Sequence, residues 1–123
     1  MIIKLQDLET FSQQDVKAAI LRNDPAELEL VAITVALSDL DIYFVQSICI
    51  GLVSHLNSHV RGNALVSLGH LARRYRMLDE QSVKPLIESA LVDTHGYVRL
   101  CAKSAADEVH QFLHWDISGH IFG

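Results

Sequence analysis

The chain has 123 residues, half of them hydrophobic and a fifth charged, with a net charge of −5. This bounds it to about one domain with enough apolar surface for a core, and excludes a disordered chain. No apolar run nears the roughly 18 residues that span a bilayer, and Met1-Ile2-Ile3-Lys4-Leu5-Gln6-Asp7 turns acidic too early for a secretory leader.

The sequence predicts six helices. Ser12 can cap a first helix near 12–22, with Asp15 in its first turn, where the dipole favours an acid. Asp24-Pro25-Ala26-Glu27 opens a second near 25–37, with Asp as cap, Pro at the first position and Glu three residues on. Asp41 starts a third near 42–54 with the face Val45, Ile48, Cys49, Leu52. Ser58 or Asn57 starts a fourth near 59–75, and Asp79 a fifth near 79–92. The sixth runs near 96–113. Pro85, well past the first turn of the fifth helix, predicts a kink or a late start. Gly62 and Gly69 each cost about 1 kcal/mol inside a helix relative to Ala, which points to a close helix approach. The apolar tail 114–123 is expected to pack over the open end of the structure. Cys49 and Cys101 both fall on apolar faces, and the expectation is two buried, reduced thiols in a cytoplasmic protein.

Two stretches repeat one another at a constant offset. Val45-x-x-Ile48-Cys49-x-x-Leu52-Val53 is followed, after six residues, by Val60-Arg61-x-x-Ala64. Val83-x-x-Leu86-Ile87-x-x-Ala90-Leu91 is followed, after six residues, by Val98-Arg99-x-x-Ala102. A repeat with a period of about 20–50 residues is the mark of a stacked architecture, and the offset from Val45 to Val83 falls inside that range. The expected fold is all-α: about three stacked antiparallel helix pairs, near 12–37, 41–75 and 79–113, in a single domain over 1–123. At equivalent places in the two copies, Arg61 and Arg99 are expected to reach acids or helix ends of an adjoining pair and fix the stacking.

A helix pair of this length whose second helix begins Val-Arg-x-x-Ala resembles the HEAT repeat. Asp93 stands where that repeat often has an Asp before Val-Arg; His55, at the earlier equivalent position, departs from it. Residues 40–115 are also similar to small bacterial HEAT-like immunity proteins of contact-dependent or polymorphic toxin systems. The run Asp41-Ile42-Tyr43-Phe44-Val45-Gln46, the segment Leu68-Gly69-His70-Leu71-Ala72-Arg73, Leu78-Asp79 and Asp107 through Trp115 carry that likeness. The resemblance implies an α-solenoid that binds a cognate toxin, a nuclease of the EndoU ribonuclease type among the candidates, and blocks its active site or substrate entry. A general protein-interaction scaffold or regulatory adaptor is the alternative.

The charge map suggests where. Residues 1–41 hold eight acids and three bases, while 42–123 hold seven of each, so the net charge lies in the first third. An acidic surface suits a nuclease with a basic cleft, speeding association and aiding specificity. The expected partner-binding residues are therefore Asp15, Asp24, Glu27, Glu29, Asp39 and Asp41, with aromatic support from Tyr43 or Phe44. Asp24 and Asp41 serve equally as caps. Direct nucleic-acid binding is not expected, since Arg73-Arg74-Tyr75-Arg76 is the one basic run. The pairs His55/His59 and His110/His114 have the i, i+4 spacing of metal ligands, but the first straddles a helix break and no HExxH is present. The sequence offers no Gly-x-Ser-x-Gly and no phosphate-cradling Gly-rich loop. The expectations are no catalytic residues, no metal, no cofactor and no membrane contact.

Overall fold

The computed structural model describes residues 11–120. Its elements are α1 (Gln13–Arg22), α2 (Pro25–Leu37), α3 (Ile42–Val53), α4 (Ser58–Tyr75), α5 (Glu80–Ala90) and α6 (Gly96–Leu113). Among the described residues there is no strand. Local chemistry explains the helix starts. The Ser12 hydroxyl accepts from the Asp15 N–H at 3.3 Å, and the Asp15 carboxylate accepts from the Ser12 N–H at 2.9 Å, a reciprocal capping box. Asp24 caps α2 by accepting from the Ala26 N–H, with Pro25 at the first position. Asp41 caps α3 through the Phe44 N–H. Asn57, rather than Ser58, caps α4, accepting from both His59 and Val60 N–H. Asp79 sits at the start of α5 but takes the Ser82 hydroxyl instead of a backbone N–H.

Short turns make three antiparallel pairs, which stack. α4 packs against α2 on one side and α6 on the other, and α3 lies against α4 and touches α5. The shared core includes Leu28, Val31, Val45, Leu65, Leu68, Leu71, Ile87 and Val98, all at most 2 % exposed. Cys49 and Cys101 belong to it as free thiols, and burial pushes the Cys49 thiol up to about 12. Trp115 and Ile117 are buried, and the Ser118 N–H donates to Glu88 at 2.7 Å, so the tail as far as His120 is bound to the last pair. The remaining tail residues, 121–123, lie outside the described part of the chain.

The stack explains several sequence features. A Cβ on Gly69 would stand 3.2 Å from the Ala105 Cα, and one on Gly62 would meet the Tyr97 ring. Both glycines therefore serve the close approach of α4 to α6. Pro85 neither delays nor ends α5, which starts at Glu80 and runs through it. The hydrogen bond it removes belongs to the carbonyl of Gln81, an exposed residue that water can serve.

The repeat also has two pitches. The step from the start of α2 at Pro25 to the start of α4 at Ser58 is shorter than the step from Ser58 to the start of α6 at Gly96. By helix position, Glu27 and Leu28 of α2 fall where α4 has Val60-Arg61 and α6 has Val98-Arg99. This is why the first pair shows no Val-Arg.

Candidate partner-binding surface

The expected site residues do not form one patch. Glu27 departs from the expectation of a surface acid. Its side chain is 1 % exposed and takes a two-pronged hydrogen bond from Arg22, Nε at 2.8 Å and Nη2 at 2.7 Å. Glu27 thus sits at the place of a core valine and is partnered from the end of α1. Its hydrogen bond holds the Arg22 guanidinium firmly protonated, raised above its ordinary value. Asp15, Asp24 and Asp41 are all engaged as caps. Glu29 is half-buried, with a carboxylate oxygen 3.7 Å from His59 Nδ1. Asp24, Glu27 and Glu29 lie at the start of α2. Asp39, Asp41, Tyr43 and Phe44 lie beyond its other end, about 20 Å away along the helix axis.

The second group does converge. The α2–α3 corner brings Asp39, Asp41 and Tyr43 beside the α4–α5 corner with Met77, Leu78 and Asp79. Between them lies a groove of about 350 Å³ lined by Ile42, Tyr43, Gln46, Met77, Leu78 and Asp79. Gln46 Oε1 accepts from the Asp79 N–H at 2.7 Å and locks the two walls together. Phe44 turns the other way and packs against the core. Sequence reasoning missed Met77, Asp79 and Glu80 as members of this edge. The signal was the repeat itself: Tyr43 and Met77 are separated by close to one repeat.

Two further apolar surfaces are open. Across α2, α4 and α6, a groove of about 260 Å³ has Ile33, Leu37 and Val66 beside His70, Arg73 and Glu108. Arg73 donates to His70 Nδ1 at 2.9 Å and to Glu108 at 3.2 Å. Burial first, then the nearby guanidinium groups of Arg73 and Arg74, push His70 below its ordinary pKa. Between α1 and α3, Ile20, Leu28, Ile48 and Leu52 line a groove of about 330 Å³, closed at one end by His55 Nε2 against Asn23 Oδ1 at 2.7 Å.

The arginines diverge. Arg61 takes Asp93 with two nitrogens, at 3.0 and 3.2 Å, and the carbonyls of His55 and Leu56 with a third. It joins the second pair to the third, as expected. Arg99 instead reaches the carbonyl of Asp93 at 2.7 Å, within its own pair. The His95 N–H, and then Arg61, hold the Asp93 carboxyl below the usual carboxylate range against the effect of desolvation. Arg74 binds the carbonyls of Ala36 and Ser38 at the end of α2 and pairs with Asp39. Arg76 lies over the Phe112 ring. Arg73, Arg74 and Arg76 thus serve three different neighbours. Among the described residues no three His, Cys, Asp or Glu side chains gather as a metal site would require, and no helix is long and apolar enough to cross a membrane. His110 Nδ1 lies 3.0 Å from the Trp115 carbonyl, and His114 ends α6 at φ 61°.

Comparison with protein-family models, curated proteins and solved structures finds no match to this chain. The class that the structure itself defines is an all-α stack of helix pairs.

Proposed function

We propose that the chain is a cytoplasmic immunity protein that binds a cognate bacterial toxin, a nuclease of EndoU ribonuclease type by resemblance, and blocks its active site or substrate entry. The observation that carries the binding part is α2. Its sequence, PAELELVAITVAL, carries large aliphatic residues around most of its circumference, with Glu27, Glu29 and Thr34 as its polar members, and so strongly apolar a helix is normally buried on most sides. Here one face enters the core, while Leu30, Ile33 and Leu37 stay exposed on the open side beside Val66. A closed core with large aliphatic side chains left over on an open face suits a partner's surface. The toxin part rests on the likeness of residues 40–115 to HEAT-like immunity proteins.

The reading predicts that the gene adjoining this one encodes the toxin, and the test is co-expression with that gene's product. The reading expects a stable complex and protected cells. The double variant Ile33→Ser, Leu37→Ser, at positions that are 36 % and 45 % exposed, is expected to weaken the complex while the chain stays folded, as its circular dichroism would show. A chain that binds another cellular protein and gives no protection would instead be a general scaffold.

A further inference from the structure

The Tyr43–Met77 edge carries an inference of its own, resting on the reading that the chain acts by binding a protein. We propose that this groove is the seat for a positively charged partner segment, one that lays an aliphatic side chain between Tyr43 and Met77 and holds Lys or Arg against the rim.

The anchors come first. Tyr43 is 64 % exposed and Met77 41 %, over a half-buried floor of Ile42 and Leu78. A large aromatic with one polar end and a flexible thioether are the side chains that most readily make contact energy with a partner. The hydrogen bond from the Asp79 N–H to Gln46 fixes the walls in advance, so little ordering is left to be done on binding.

Charge then selects the occupant. Asp79 lines the groove, Asp41 and Glu80 adjoin its lining residues in the chain, and Asp39 is held nearby by Arg74, all four exposed. In both ion pairs of this edge the base is the more covered member. In the Arg74–Asp39 pair the guanidinium side chain is 30 % exposed and the carboxylate 98 %. In the Lys84–Glu80 pair the values are 31 % and 54 %. Arg74 is spent on the carbonyls that end α2, and Arg76 lies over Phe112. An approaching partner therefore meets carboxylates outermost, and a basic segment is the complementary one. The other grooves differ: one mixes Arg73 with Glu108, and the other is lined by no charged side chain among the described residues.

The probes are three short synthetic peptides: one alternating Lys and Leu, the same with Glu for Lys, and the same with Ser for Leu. Titration into the isotopically labelled full chain is followed by amide shifts. The proposal expects the Lys-Leu peptide to move Tyr43, Gln46, Met77 and Asp79 and to weaken as salt rises, with the other two peptides binding at least about tenfold more weakly. Tyr43→Ala and Met77→Ser, at exposed positions, are each expected to lower affinity for the Lys-Leu peptide about tenfold at an unchanged melting temperature. Equal binding of the Glu peptide, shifts centred on Leu37 and Val66, self-association through this edge, or no binding at all would each overturn the proposal. Toxin protection separates it from the functional reading. Protection that survives the combined Tyr43→Ala, Met77→Ser variant removes the seat and leaves the immunity reading; a seat that binds the Lys-Leu peptide in a chain that protects against no toxin does the reverse.

Discussion

α4 meets its two neighbours by different means. Against α6 it presents Gly62 and Gly69, which bring the backbones close, and Arg61, which forks onto Asp93. Against α2 it presents polar side chains to backbone carbonyls: Asn63 to Glu29 at 3.1 Å, Ser67 to Ala32 at 2.6 Å, and Arg74 to Ala36 at 3.1 Å. The first junction uses small side chains with the Arg61–Asp93 and Arg73–Glu108 pairs, and the second chiefly hydrogen bonds to carbonyls along and at the end of α2, with Arg74 also pairing with Asp39. The difference follows the repeat. The two regular pairs keep one offset and share the Val-Arg start, so they can pack closely. The first pair, set at a shorter step and with Glu27-Leu28 in that place, is joined by bonds that need no matching side chain on α2.

Substitution can weaken either junction. Arg61→Ala should have the largest effect, about 3 kcal/mol in urea unfolding, because it leaves a partly buried carboxylate and two carbonyls without their donor. A loss below about half a kcal/mol would remove the fork as a structural link. Gly69→Val should cost about 2 kcal/mol by pressing on the α6 backbone, despite valine's better helix propensity. An unchanged melting temperature would mean that α6 can shift freely. Ser67→Ala should cost about 1 kcal/mol, since a single hydroxyl proton is shared between Ala32 and Asn63. Hydrogen exchange should then show earlier opening of α1 and α2 than of α5 and α6.

The smallest effect is a pH dependence. The folded-state pKa of Asp93 lies below its unfolded value, so its contribution is present above about pH 4 and is lost as pH falls through the folded pKa. Asp93→Asn should therefore be less stable than the parent near neutrality, and the gap should close in acid. A constant gap down to the acid transition would assign the effect to something other than this carboxylate.

Much of the fold was legible. Periodicity located the six helices of the described residues, and Ser12, Asp24, Asp41 and Asn57 marked the starts of α1 to α4 because each acts on backbone within three residues of itself. The close approach at Gly62 and Gly69 was readable because a small residue inside a helix has little other use, and the role of Arg61 because it follows the Val of a repeated start; Arg99, at the equivalent place, stays within its own pair. What sequence did not show needs the third dimension. Glu27 reads as a first-turn acid, and only the return of Arg22 from α1 makes a buried carboxylate there tolerable. The acids of the first third look continuous in the sequence, yet α2 separates them by its whole length. Tyr43 and Gln46 gain their neighbours Met77, Leu78 and Asp79 from a corner one repeat away. That offset was available, but it gains meaning only once α2–α3 and α4–α5 are known to turn at the same edge.

The most direct test is co-purification of the full chain with the product of the gene that adjoins its own, coupled to survival of cells expressing both. The account predicts a stable complex, loss of the toxin's nuclease activity, and survival that fails when Ile33 and Leu37 become Ser. Cells that die beside abundant, folded protein, with no complex recovered, would contradict it.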